Sequence, residues 1–113
     1  MTDSPIRRVG DTAVVHLAGE VDLTVADVLY RRISRETAQR SAVVLDLSAV
    51  TFLDSAGVRL VDDLSRACAE RRASLRVVAP RGPARSALTL CGFPERLLAA
   101  HVEEALREPD GGA

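Results

Sequence analysis

Leu45-Asp46-Leu47-Ser48-Ala49-Val50-Thr51-Phe52-Leu53-Asp54-Ser55-Ala56-Gly57-Val58-Arg59-Leu60 decides how the rest of this 113-residue chain is arranged. The stretch reads as a buried strand, a polar crossing over Ser48 to Leu53, and a helix whose start carries Asp54 and Ser55. A helix start leaves backbone N–H groups unpaired and presents the positive end of the helix dipole, so it favours negative charge. A hydroxyl beside a carboxylate at that place fits a phosphorylation switch. On local pattern alone a plain capping group fits better, because Ser and Asp are common at helix starts.

Working outward, Ala42 to Leu47 is an almost continuous apolar run, which predicts a central strand covered on both faces. The helix after it runs from about Ser55 to Arg72, with Leu60, Val61, Leu64, Ala67 and Cys68 as its apolar stripe. Asp62, Asp63, Arg66 and Glu70 fall on the solvated side. Upstream, Ile6 to Val9 and Thr12 to Ala18 read as a hairpin turning at Gly10-Asp11. The polar loop Gly19-Glu20-Val21-Asp22 then leads to a helix. Thr24 and Asp27 resemble a capping box, which starts that helix near Val25. Val25, Val28, Leu29, Ile33 and Thr37 form its inner face.

Downstream, Leu75 to Ala79 is a further strand, and Pro83 opens a third helix that Cys91-Gly92 closes. A short strand or coil near Arg96 to Ala99 and a helix over Val102 to Leu106 follow, and 108–113 is expected as a frayed tail. Strands alternating with about four helices after an N-terminal hairpin predict a single α/β domain over 1–113 with a mixed sheet.

Composition narrows the function. The net charge of −1 argues against nucleic acid held through phosphate contacts. All 15 basic residues are Arg, and Lys and Asn are absent, which points to a GC-rich bacterial genome. No apolar run is long enough to cross a bilayer and no signal peptide is evident, so the expected setting is cytoplasmic, away from membranes. Cys68 and Cys91 have no His or Cys at metal-ligand spacing, so no zinc site is expected, and no metal or cofactor is assigned to the chain. Both are read as small core residues, with a redox disulfide as the weaker option.

Asp54-Ser55-Ala56-Gly57 after Leu45-Asp46-Leu47-Ser48, with Gly19-Glu20-Val21-Asp22 upstream and a break at Gly92-Phe93, resembles the STAS domain of anti-sigma factor antagonists. The resemblance covers nearly the whole chain and implies the STAS fold. It also implies a partner switch. The unphosphorylated antagonist binds an anti-sigma factor, itself an ATP-binding serine kinase, and so frees a sigma factor. The kinase phosphorylates the Ser after the Asp, here Ser55, and a PP2C-like phosphatase reverses the step. Asp22 falls where the family has an acidic loop residue near that Ser. The implied docking surface is Glu20, Asp22, Asp54, Ser55, Ala56, Gly57, Val58 and Arg59, on a monomer or weak dimer without catalytic activity.

Two positions depart from the family pattern. Ala56 stands where many relatives carry a second hydroxyl, leaving Ser55 as the acceptor in the motif. Gly57-Val58-Arg59 replaces the common Gly-Leu-Gly, and Arg59 lies four residues after Ser55 on the same helical face. Arg59 either pairs with Asp62 or Asp63 or contacts a phosphate on Ser55.

Three other readings stay open. Asp22 on spacing alone is a turn or helix-entry acid. A STAS subunit of a transporter or lipid-trafficking ATPase is the alternative binding module. A Ser55/His/Asp54 hydrolase is the enzyme alternative, but the chain has no Gly-x-Ser-x-Gly elbow. Asp46 is expected to end its strand with its carboxylate on nearby backbone. His16 is expected as an exposed strand residue and His101 as unpartnered.

Overall fold

The run from Ala42 forms the middle of a five-stranded sheet whose order in space, β1-β2-β3-β4-β5, is the order in the chain. In the computed structural model, which describes residues 5–107, the strands are β1 (Ile6–Val9), β2 (Thr12–Val21), β3 (Ala42–Leu53), β4 (Ser74–Val78) and β5 (Leu98–Ala99). The expected tail at 108–113 lies outside the described residues. The hairpin β1–β2 is antiparallel, and β2, β3, β4 and β5 run parallel, so the sheet is mixed as expected. Each parallel step requires a crossover, supplied by α1 (Leu23–Thr37), α2 (Ser55–Glu70) and α3 (Pro83–Leu90). A last helix, α4 (Val102–Arg107), follows β5.

One face of the sheet holds the main core. Val15, Leu17, Leu45, Leu47 and Val77 pack there beneath Leu29 and Ile33 of α1, Leu60, Val61 and Leu64 of α2, and Leu88 of α3. The other face has a smaller cluster in which Val14, Val44, Val78 and Ala99 lie under Ala105 of α4. Apolar burial on both faces is what the continuous run at Ala42 to Leu47 required of a central strand.

Several expected boundaries move. β2 does not stop at Gly19, and β3 does not give way to a crossing at Ser48; both strands run on to Val21 and Leu53. Register shifts between His16/Ala18 and between Gly19/Glu20 explain the difference. At each, β3 carries one residue more than β2, a bulge that breaks strict alternation. The buried positions of β3 therefore pass from Val43, Leu45 and Leu47 to Val50 and Leu53, and Gly19 takes a positive φ of 75°. Helix α1 begins at Leu23 rather than near Val25, because Asp22 and not Thr24 is its cap. Val28, expected on the inner face, is 65% exposed.

Two histidine and aspartate expectations also change. Asp46 does not end its strand; it lies 8% exposed within β3. One carboxylate oxygen accepts from the amide and the hydroxyl of Ser48, and the other sits 2.8 Å from Nδ1 of His16. His16 is thus a partly buried, paired residue, not a free surface one. On the same face Arg76 is buried and donates to the carbonyl oxygens of Leu97 (3.3 Å) and Leu98 (2.9 Å).

Burial pushes the Asp46 carboxyl up, but the Ser48 hydroxyl and amide and the His16 imidazole together outweigh it and hold it below the usual carboxylate range. A carboxyl depressed in the fold contributes stability that is complete above its unfolded value and is lost as pH falls through its folded value. Asp46→Asn should therefore lower stability by about 1–3 kcal/mol near neutrality. In urea unfolding, the gap from the wild type should narrow as pH falls below about 4.

Candidate functional site

The ends of β2 and β3 bring the two acidic segments together. The Asp54 amide donates to the Val21 carbonyl at 3.4 Å, so the start of α2 is tied to the end of β2. Asp54 caps α2: its Oδ1 accepts from the Gly57 amide at 2.9 Å. Its Oδ2 accepts from the Leu23 amide, the first of α1, at 3.3 Å. One carboxylate thus serves the N-termini of two neighbouring helices, where the helix dipoles favour it. The spacing of Asp54 and Gly57 identifies the first of these bonds; the second joins residues 31 apart and has no local signature.

Asp22 caps α1, accepting from the Thr24 amide (3.0 Å) and the Thr24 hydroxyl (2.6 Å). The Thr24 hydroxyl is the main reason its carboxyl lies below the usual range. Asp22 is therefore the helix-entry acid that its spacing suggested, and it sits one residue from the amide that Asp54 holds.

Ser55 is the first residue of α2 and is exposed beyond its Asp54 cap. Glu20 is exposed on the last part of β2, and Ala56 and Val58 are half-buried around the first turn. Gly57 is buried at the crossing of α2 over the strand ends. A Cβ there would lie 2.5 Å from the Val21 carbonyl oxygen and 2.6 Å from Leu53 Cδ1. The missing side chain lets α2 approach the sheet.

Arg59 is 82% exposed and stands 3.8 Å from Asp63. Its place between two open grooves is not evident from local spacing. One, of about 480 Å³, is lined by Ser55, Val58, Arg66, Cys91 and Phe93. The other, of about 370 Å³, runs between α1 and α2 past Leu23, Tyr30, Ala56 and Leu60. Leu23 is among the most exposed large apolar side chains, at 76%. Cys91, expected in the core, is instead exposed at the end of α3. Cys68 is buried, its thiol raised chiefly by desolvation, and both thiols are free.

At the far end of the helices, Arg71 donates to the carbonyls of Arg40 (2.6 Å) and Thr37 (2.9 Å). Local spacing gives no sign of this clamp, because 31 and 34 residues separate the partners. Among the described residues no histidine bonds to Ser55: His16 is held by Arg7 and Asp46, and both oxygens of Asp54 accept backbone amides. The described residues also contain no cluster of His, Cys, Asp or Glu able to hold a metal ion.

Two variants probe this framework. Asp54→Ala removes an acceptor from two helix starts and should destabilise by about 2 kcal/mol, whereas Ser55→Ala should stay within about 0.5 kcal/mol of wild type in the same urea titration. Gly57→Ala should cost about 1–3 kcal/mol, because the nearest atom is a backbone oxygen that cannot rotate away. Its amide spectrum should show displaced Leu23 and Asp54 resonances.

The site and fold can be set beside known proteins. No curated protein is significantly similar to the chain in sequence. An anti-sigma factor antagonist from Mycobacterium paratuberculosis is 27% identical and superposes with a TM-score of 0.85 over 95% of this chain and 92% of its own. The Bacillus cell fate determinant SpoIIAA in its phosphorylated form is 22% identical, with a TM-score of 0.73 over 93% of this chain and 97% of its own. A sulfate transporter family protein from Wolinella succinogenes is 19% identical, with a TM-score of 0.75 over 88% and 84%. The family model of the STAS domain matches residues 4–107. The chain belongs to the STAS-domain family.

Proposed function

We propose that this domain is a bacterial, cytoplasmic anti-sigma factor antagonist, switched by phosphorylation of Ser55. In this reading the unphosphorylated domain docks an anti-sigma factor that is itself an ATP-using serine kinase, and a sigma factor is released. A PP2C-like phosphatase restores the docking form. The contact surface is Glu20, Asp22, Asp54, Ser55, Ala56, Val58 and Arg59, with Gly57 setting the depth of the helix beneath them.

The observation that carries the reading is the exposure of Ser55 at the first position of α2, outside the hydrogen bonds that cap the helix. A kinase can reach its hydroxyl without unfolding anything. A phosphate brings about −1.5 to −2 charges to a place where helix dipoles tolerate it. Asp22 and Asp54 already concentrate negative charge there, so a docked surface chosen for the neutral hydroxyl meets a like-charge contact. Such a contact, once desolvated, costs several kcal/mol, which is about a thousandfold in affinity. Arg59 has an exposed, weakly held guanidinium four residues on and can bind the phosphate in place of Asp63.

The likeness to a sulfate transporter family protein is consistent with a second reading, in which the domain regulates a transporter; a lipid-trafficking ATPase is the other form of that alternative. Co-purification separates the two. A small kinase-like protein supports the switch, and a membrane transport or ATPase subunit supports the alternative.

Incubated with its kinase partner and ATP, the wild type should gain one phosphate by intact mass, and Ser55→Ala should gain none. In calorimetric titration with that partner, Ser55→Ala should bind as tightly as the unmodified protein, and Ser55→Asp or the phosphorylated form should bind about a thousandfold more weakly. Equal affinity of all forms, or a phosphate retained by Ser55→Ala, overturns the switch.

A further inference from the structure

We infer that Arg7, His16 and Asp46 form an acid-released latch on the first strand: protonating the His16 imidazole expels the Arg7 guanidinium and loosens β1 from the sheet edge. The three side chains lie on the sheet face that carries α4. Arg7 is paired in register with Val14 of that face, and His16 with Asp46. The Arg7 Nε–H donates to His16 Nε2 at 3.0 Å, and His16 Nδ1 is 2.8 Å from Asp46 Oδ2.

These partners fix the proton. Arginine only donates, so Nε2 must offer its lone pair; a carboxylate only accepts, so Nδ1 must carry the hydrogen. Neutral His16 satisfies both neighbours in that single tautomer. A second proton changes one contact and strengthens the other. Nε2–H then faces the Arg7 N–H, so two donors and two positive charges meet, whereas Nδ1–H and Asp46 become a full ion pair. His16 stays with Asp46, which is 8% exposed and further anchored by Ser48. Arg7, exposed on an edge strand, is the group that moves.

The remaining charges do not offset this exchange. Arg76 of β4, farther along the face, is bound to the Leu97 and Leu98 carbonyls and lies 3.9 Å from Glu104 of α4. Arg8 and Glu20 are exposed, on neighbouring stretches of β1 and β2. No carboxylate other than Asp46 is bonded to His16 among the described residues.

The strand is lightly held. β1 has four residues, three of them exposed, with only Ile6 packed on the core. Beyond its ladder to β2, it is secured by Arg7 and by the His16 amide, which donates to the Pro5 carbonyl at 3.0 Å. Loosening it uncovers the backbone edge of β2, to which another strand can add.

Hydrogen exchange by NMR on the full chain tests the latch. Between about pH 7.5 and pH 5, the β1 amides and the His16 amide should lose about tenfold in protection relative to the chemical rate. Those of β4 should keep theirs. At the upper pH, the His16 ring should show the Nδ1–H tautomer. His16→Gln should hold β1 equally at both pH values, and Arg7→Met should leave it equally loose at both. Protection of β1 that does not change in the wild type, the same acid loss in either variant, or an Nε2–H tautomer overturns the inference.

Discussion

A single carboxylate sets the geometry of the end of this molecule at which α1 and α2 begin. Asp54 accepts from the third amide of its own helix and from the first amide of the helix before it. Helices that connect parallel strands on one face of a sheet lie side by side with their N-termini at the same end. Their positive ends would repel without an anion between them. Arg71 makes the complementary contact at the other end, at the Thr37 carbonyl that closes α1 and is negative, and at the Arg40 carbonyl just past it. Between these clamps α1 and α2 are fixed to the sheet, and Ser55 is fixed with them.

That rigidity suits a switch read by a partner rather than by the domain itself. The groups that hold α2 in place are Asp54 and the amides it caps, and Ser55 is not one of them. Charge can be added to its hydroxyl while the caps stay made. The message of such a modification is then a change of surface potential over two grooves that meet at Arg59. A partner that must desolvate this surface responds steeply, while solvent-screened contacts elsewhere respond little.

Much of this was legible in the chain, and the exceptions have physical causes. Apolar runs and helical stripes made the order of strands and helices plain, because burial on one or two faces leaves a periodic trace. The Gly92 closure of α3 and Pro83 at its start followed from backbone constraints alone. The far half of β3 was obscured because its bulges replace a spacing of two with a spacing of three between buried residues. Thr24 looked like a cap because a hydroxyl and a carboxylate compete for that role, but Thr24 lies within the first turn and donates to Asp22, which stands just before it. At the site, Asp54 and Ser55 stood out by local pattern, and Asp22 through the family resemblance. The second bond of Asp54, the Arg71 clamp and the pairing of His16 with Asp46 link residues about thirty apart, so only the tertiary fold brings them into view. Cys91 was misplaced because a helix end near the core and one facing solvent look alike in sequence.

The agreement between spatial and chain order in the sheet bears on synthesis. As the polypeptide leaves the ribosome, each strand from β2 to β5 emerges to find its neighbour already made and one edge waiting. No strand must be inserted between two earlier ones, so partly built sheets can grow in one direction without being reopened. The segment bearing Ser55 follows β3, and the strands and helix it packs against can be in place before β4 and β5 emerge.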